Sequence, residues 1–202
     1  MREKPILMNT EMVARTLADD KTQTRRIMKP HTRRIIKLQL ISDLDSGRIF
    51  WGKYQFDIHK MPYSDELPKF APYQVGDILW VRESAKVICK GRSGYREIVI
   101  KYIADDAIRT VPYPERLAPI PMWKKLSNGV YKEACRLRLE VTQVRVERLN
   151  DISEEDAIAE GCKSNIALTA KGDFRFLWQS IYGWKSWEDN VYVWVIEFKK
   201  VQ

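Results

Sequence analysis

Lys21-Thr22-Gln23-Thr24-Arg25-Arg26-Ile27-Met28-Lys29-Pro30 gathers an amine, two hydroxyls, an amide and two guanidiniums into its first six residues. Its β-branched residues and closing proline make Thr22 to Ile27 extended rather than helical. Upstream, Asn9 is suited to cap a helix that carries Glu11 in its first turn and runs to about Leu17, burying Met8, Met12, Val13 and Leu17. Asp19 and Asp20 close that helix against its dipole, although aspartate tolerates the left-handed turn that often follows a helix. From Lys21 to Ser42 the chain has seven Lys or Arg (Lys21, Arg25, Arg26, Lys29, Arg33, Arg34, Lys37) and no acidic residue. Such a surface attracts phosphate, so Arg25, Arg26, Lys29, Arg33 and Arg34 are candidate nucleic-acid contacts. The plain alternative is a solvated strand.

The charge of the whole chain agrees, with a formal net +8 at pH 7 and no basic amphipathic helix that would favour a membrane surface. With 202 residues, 45% hydrophobic and 31% charged, the chain suits one folded domain, 1–202, with room for insertions. Three cysteines, Cys89, Cys135 and Cys162, without a CxxC pair imply neither a disulfide framework nor a zinc ribbon. Two distant histidines, His31 and His59, are too few for a metal centre or a Ser/His/Asp arrangement. No cofactor and no metal is expected, and there is no Gly-rich dinucleotide or Walker pattern. The absence of a long apolar run and of a signal peptide makes the cytoplasm the expected location.

Alternation predicts strands at Arg34 to Ser42 and Arg48 to Phe56, joined at Asp45-Ser46-Gly47 into a hairpin, and at Tyr95 to Tyr102. Ile78 to Arg82 reads as a strand buried on both faces. Residues 57–75 and 105–129 read as irregular. In Arg136 to Val146 the apolar parity switches between Val141 and Val144, which predicts a bulge near Thr142-Gln143. Ser153-Glu154-Glu155-Asp156 starts a helix that Gly161 stops, and Phe174, Leu177, Trp178 and Ile181 form one helical stripe. Val191 to Lys199 is a closing strand. The outcome is a mixed α+β fold with three short helices around a curved sheet or small barrel.

Five motifs in this order resemble the ASCH superfamily: a helix, then Lys21-Thr22-Gln23-Thr24-Arg25-Arg26, then Gly76-Asp77-Ile78-Leu79-Trp80-Val81-Arg82-Glu83, then Ile152-Ser153-Glu154-Glu155-Asp156-Ala157 to Gly161, and last Trp194-Val195-Ile196-Glu197-Phe198. More narrowly, they resemble the long ASCH-like proteins of phages and prophages. The resemblance implies a PUA-like β-barrel with flanking helices, insertions near 41–70 and 105–130, and RNA or a modified nucleoside as partner. One branch, the small bacterial N4-acetylcytidine amidohydrolases, is similar in its KTxT segment and a glutamate on the later helix. This likeness implies Lys21 as base, Thr24 as nucleophile and Glu160 as acid. Two departures stand out: Asp19-Asp20 replaces the usual Gly-Arg, and the chain is about twice the branch's length.

Amide hydrolysis needs a nucleophile, an acceptor for its proton and a stabiliser for the oxyanion. A threonine hydroxyl needs a neighbouring base, which a lysine becomes only through desolvation or nearby cations, here Arg25 and Arg26. In a regular strand Lys21 and Thr24 would face opposite ways, so convergence requires Lys21 to stand before the strand. Glu160, at a helix C-terminus, is placed to act as a proton donor. Ser153, Glu154 and Glu155 read as helix-start residues, Trp80 and Trp194 as core, and Cys162 as a small buried residue. Trp51, Tyr54 and Tyr63 are open to base stacking. Two further readings fit the same residues: a non-catalytic RNA or modified-base binding module, and a metal-independent ribonuclease.

Overall fold

The computed structural model describes residues 2–28, 48–51, 54–57, 71–90, 97–117, 121–126, 129–164 and 169–201. Two units emerge, neither a continuous piece of chain: Met1–Thr22 with Gly76–Val141 and Phe198–Gln202, and Gln23–Val75 with Thr142–Glu197. Strands and helices mix in both, and every sheet among the described residues has two distinct edge strands, so none closes into a barrel. The α+β class expected from sequence holds; the closed-barrel form of it does not.

In the first unit, β1 (Glu3–Leu7) lies parallel to β5 (Ile78–Arg82), with Ile6 opposite Val81. The start of β10 (Arg138–Arg148) pairs antiparallel with β5, Leu139 opposite Leu79. Ile78, Leu79 and Val81 are buried, as expected for a covered strand, while Trp80 is half-buried. Helix α1 (Thr10–Leu17) begins where Asn9 Oδ1 accepts the Met12 N–H at 2.8 Å and buries Met12, Val13 and Thr16. Asp19 takes φ 61° at its end, and its carboxylate meets Lys200 Nζ at 2.7 Å, which offsets the unfavourable dipole.

A four-stranded antiparallel sheet completes this unit in the order β8 (Ile108–Pro112), β7 (Glu97–Tyr102), β6 (Ala85–Lys90), β9 (Lys125–Leu126). Its inner face packs Ala85, Val87, Ile98, Ile100, Tyr102 and Val111 with Val130 and Ala134. The segment expected to be irregular from 105 onward therefore supplies two strands. Its prolines flank β8 and β9 or end them, where a missing N–H is tolerated. The Arg136 guanidinium bridges Glu83, at 2.8 and 2.9 Å, and Asp105, at 2.7 and 2.9 Å, with its centre 4.0 Å from the Tyr102 ring.

In the second unit, β2 (Gln23–Ile27) runs antiparallel to β11 (Tyr192–Lys200), with Thr24 opposite Ile196. The second half of β10 lies on the other side of β11. Thr142 and Gln143 are both exposed between buried Val141 and Val144, the parity change anticipated there. Helix α2 (Glu154–Ala159) is capped by Ser153 Oγ, which accepts the Asp156 N–H at 3.1 Å. Gly161, at φ 92°, follows its Glu160 C-cap. Helix α3 (Ala170–Tyr182) buries Phe174 and Trp178 against Leu149, Ile152, Cys162, Trp187, Val193 and Val195. Ile181 is 42% exposed, so the stripe ends a turn earlier than its spacing implied.

Two more expectations need correction. A fourth helix, α4 (Trp184–Glu188), follows Gly183 at φ 81°. Arg48 to Phe56 is not one strand but a hairpin of β3 (Arg48–Trp51) and β4 (Tyr54–Asp57), with Trp51 opposite Tyr54. Gly52, a strand-weakening residue, stands between the two in sequence. The proposed partner strand, 34–42, lies outside the described residues.

Candidate functional site

β2 is polar in sequence yet interior in structure. Gln23, Thr24 and Arg25 are buried in succession, so both faces of the strand are covered there. Successive strand residues face opposite ways, which puts Gln23 and Arg25 on one side and Thr24 on the other. Gln23 Nε2 donates to the Asp156 carbonyl at 2.9 Å, and Arg25 Nη2 donates to Asp156 Oδ2 at 2.8 Å, so the Gln23/Arg25 side is the one directed at α2.

Arg25 is the hub. Its side chain has no exposed surface, and Nε donates to Glu147 Oε1 at 2.9 Å while Nη2 bonds the same oxygen. Nη1 donates to Glu160 Oε1 at 3.2 Å, and the guanidinium centre lies 5.6 Å from the Phe174 ring centroid. A second arginine closes the network: Arg145 Nη2 donates to Asp156 Oδ2 at 2.7 Å, Arg145 Nε stands 3.5 Å from Glu147, and Nη1 bonds Glu197. Two guanidiniums thus hold four carboxylates, a formal charge of −2 for these six groups.

Burial alone would raise the Asp156 carboxyl, but the Arg145 hydrogen bond and charge, reinforced by Arg25, hold it below its ordinary 3.8. Burial likewise works against the Arg145 cation and is outweighed by Asp156, Glu147 and Glu197, which raise it. The outcome is a rigid, charge-assisted lattice between β2, β10 and α2.

The described residues among those singled out from sequence each have a definite place. Lys21 precedes β2 rather than lying in it, as convergence demanded, and is 2% exposed. Thr24 is 1% exposed within β2, and Glu160 caps α2 at 2%. Arg25 and Glu160 are brought together. Arg25 is corrected as a phosphate contact: its guanidinium is buried against three carboxylates, which would repel a phosphate brought to it. Arg26 is half-buried in β2. Its charge opposes the upward push that burial gives the Tyr73 phenol. Lys29, Arg33, Arg34 and Tyr63 lie outside the described residues.

Sequence reasoning missed Glu147, Asp156, Arg145 and Glu197. Asp156 was absorbed into a helix-start pattern, and Arg145 and Glu147 alternate with valines as a solvated strand face does. Only the folded register reveals that Arg25 lies against them. Among the described residues, no group of three or more His, Cys, Asp or Glu is arranged to hold a metal ion, and no helix is long and apolar enough to cross a membrane. Comparison with known protein families, with curated proteins and with solved structures gives no match.

Proposed function

We propose that this chain is an ASCH-type protein with a PUA-like core that acts on a modified nucleoside, most concretely by hydrolysing an N4-acylcytidine-type amide. The observation that carries this reading is burial. Four of the five residues from Lys21 to Arg25 are inside, as is Glu160, although every one is polar or charged. Burying such groups is costly unless each is paired, so a fold that gathers them at the motif residues has more reason to do so than solubility. A surface strand would have left them wet.

Carboxylates ring the fully buried guanidinium of Arg25, which disfavours a phosphate near that point. In the proposed reaction the Thr24 hydroxyl attacks the acyl carbonyl carbon while Lys21, three residues earlier in the chain, takes its proton. The C–N bond then breaks, the base nitrogen takes up the proton held by the Lys21 ammonium, and water hydrolyses the Thr24 ester to release the acid. Glu160, the acid expected from sequence, pairs with Arg25 at 3.2 Å on the α2 side of β2, away from Thr24, and takes no proton-donor role in this scheme.

The test is chromatographic assay of purified protein on N4-acetylcytidine. Thr24→Ala, with unchanged circular dichroism, should lose turnover by about 10³-fold or more, as removal of a nucleophile does. Equal rates for the two proteins, or no turnover by the wild type on any acylated pyrimidine, would remove the hydrolase reading. Tight binding of the nucleoside without turnover would replace it with the binding-module reading.

A further inference from the structure

A second chemical cluster lies in the first unit, on the outer face of the β8-β7-β6-β9 sheet. Lys86 stands directly opposite Lys101 on one neighbouring strand and directly opposite Lys125 on the other. Opposed residues share a sheet face. Ala85 and Val87, which flank Lys86, and Ile100 and Tyr102, which flank Lys101, are all buried in the core, so the three lysines face outward. The row crosses three strands, roughly 10 Å at about 4.8 Å per strand spacing. Like charges placed opposite one another repel, and Asp106, 2.9 Å from Lys101 Nζ, answers one of them.

Beside this row stands Trp123. It is 62% exposed, and Lys86 Nζ lies 5.2 Å from its ring centroid. Its φ of 64° puts a bulky side chain in the left-handed region, an outlier for any residue of that size. The conformation is fixed rather than loose: the Trp123 N–H donates to the Val87 carbonyl at 2.6 Å, and the Val87 N–H donates to Lys124 O at 3.1 Å. The backbone therefore holds in water a ring that the hydrophobic effect would draw inside, next to an ammonium and at one end of a cationic row.

We propose that this face binds single-stranded nucleic acid, with a base stacked on Trp123 beside the Lys86 ammonium and the Lys125-Lys86-Lys101 row taking the flanking phosphates. Charge complementarity selects a polyanion, and the exposed indole selects one whose bases are unpaired, since a duplex offers no open base face. The site shares no residue with the nucleoside reading and stands or falls without it.

Fluorescence anisotropy of a short labelled oligouridylate with the full chain tests the assignment. Three phosphates neutralised on a single strand give a slope near −2 for log affinity against log salt, at about 0.7 per contact. Trp123→Ala should weaken binding by about 5- to 150-fold, and Trp123→Phe should retain most of it. Lys86→Ala with Lys125→Ala should flatten the slope by about 1.4. The proposal is overturned by absent binding at low salt, or by equal affinity for duplex or for polyglutamate. It is equally overturned by affinity that survives the Trp123 and lysine changes but is lost in Arg33→Ala with Arg34→Ala.

Discussion

Replacing Arg25 by methionine removes one guanidinium and leaves three carboxylates that it had held: Glu160, with a side chain 3% exposed, Glu147 at 13% and Asp156 at 25%. Removing one partner of a buried ion pair costs about 3–5 kcal/mol, because the remaining charge stays desolvated. Glu147 and Asp156 keep Arg145, which limits their share of the loss. At about 2–4 °C per kcal/mol for a chain of this size, the melting temperature should fall by roughly 6–20 °C. Urea titration followed by far-ultraviolet circular dichroism measures the loss directly.

The origin of that loss can be separated from simple repacking. If the uncompensated negative charge of the network is responsible, adding Glu160→Gln to the Arg25→Met protein should recover about 1 kcal/mol or more, whereas independent sites would only add their losses. Acid gives a further check. Asp156 titrates below its ordinary 3.8 in the folded chain, so its contribution is fully present above that value and disappears as pH falls through the lowered one. Arg25 supplies part of that lowering, so the difference between wild type and variant should narrow below about pH 4. A cost under about 1 kcal/mol, or no recovery in the double variant, would refute the claim that Arg25 is the hub.

Two glycines offer a contrast in the first unit. A Cβ at Gly129 would stand 2.7 Å from the Arg82 carbonyl carbon at φ +76°, so Gly129→Ala should cost at least about 2 kcal/mol by urea titration. Gly76, at φ +83° with nothing within 4 Å, should lose only about 1 kcal/mol on the same change, and equal losses would undercut the close-approach argument. The Tyr102 phenol, pushed up to about 12 chiefly by burial and then by Glu83, donates to the Ala134 carbonyl at 2.7 Å. Its raised value means stability that is complete below 10 and lost as pH climbs through about 12. Ultraviolet titration should show a late phenol that Tyr102→Phe removes, and a titration unchanged by that substitution would contradict it.

Local chemistry was legible where one segment decides its own fate. Asn9, Ser153 and Gly161 mark their helix ends in the sequence and serve as such in the structure. The apolar run at Ile78 to Val81 could only be covered, and the parity change at Thr142-Gln143 matches two successive exposed residues between buried Val141 and Val144. Less was legible where partners are distant. β8 and β9 are short, flanked or ended by prolines and mostly exposed, so alternation barely registers; they exist because β7 and β6 offer them edges. The same limit governed the site. Thr24 and Glu160 were readable as motif residues, but the role of Arg25 was inverted, because charge is visible in sequence and the counter-charges 122 to 135 residues away are not.

Arg25 changes how the excess positive charge of the chain should be divided between tasks. A guanidinium enclosed by carboxylates contributes nothing to attracting a polyanion, and a lattice of this kind is poor evidence of stability for its own sake, since well-packed apolar residues often do as well. What such a lattice does supply is fixed orientation, and here the oriented groups are those around Glu160. Polyanion attraction must then come from cations that remain in water, of which Lys86 and Lys125 beside Trp123 form an ordered set. The two tasks consequently separate by experiment. Thr24→Ala should abolish nucleoside turnover while leaving oligonucleotide affinity and its salt slope intact, and Trp123→Ala should do the reverse. If both properties failed together in either protein, one shared surface would be indicated and the division argued from Arg25 would be wrong.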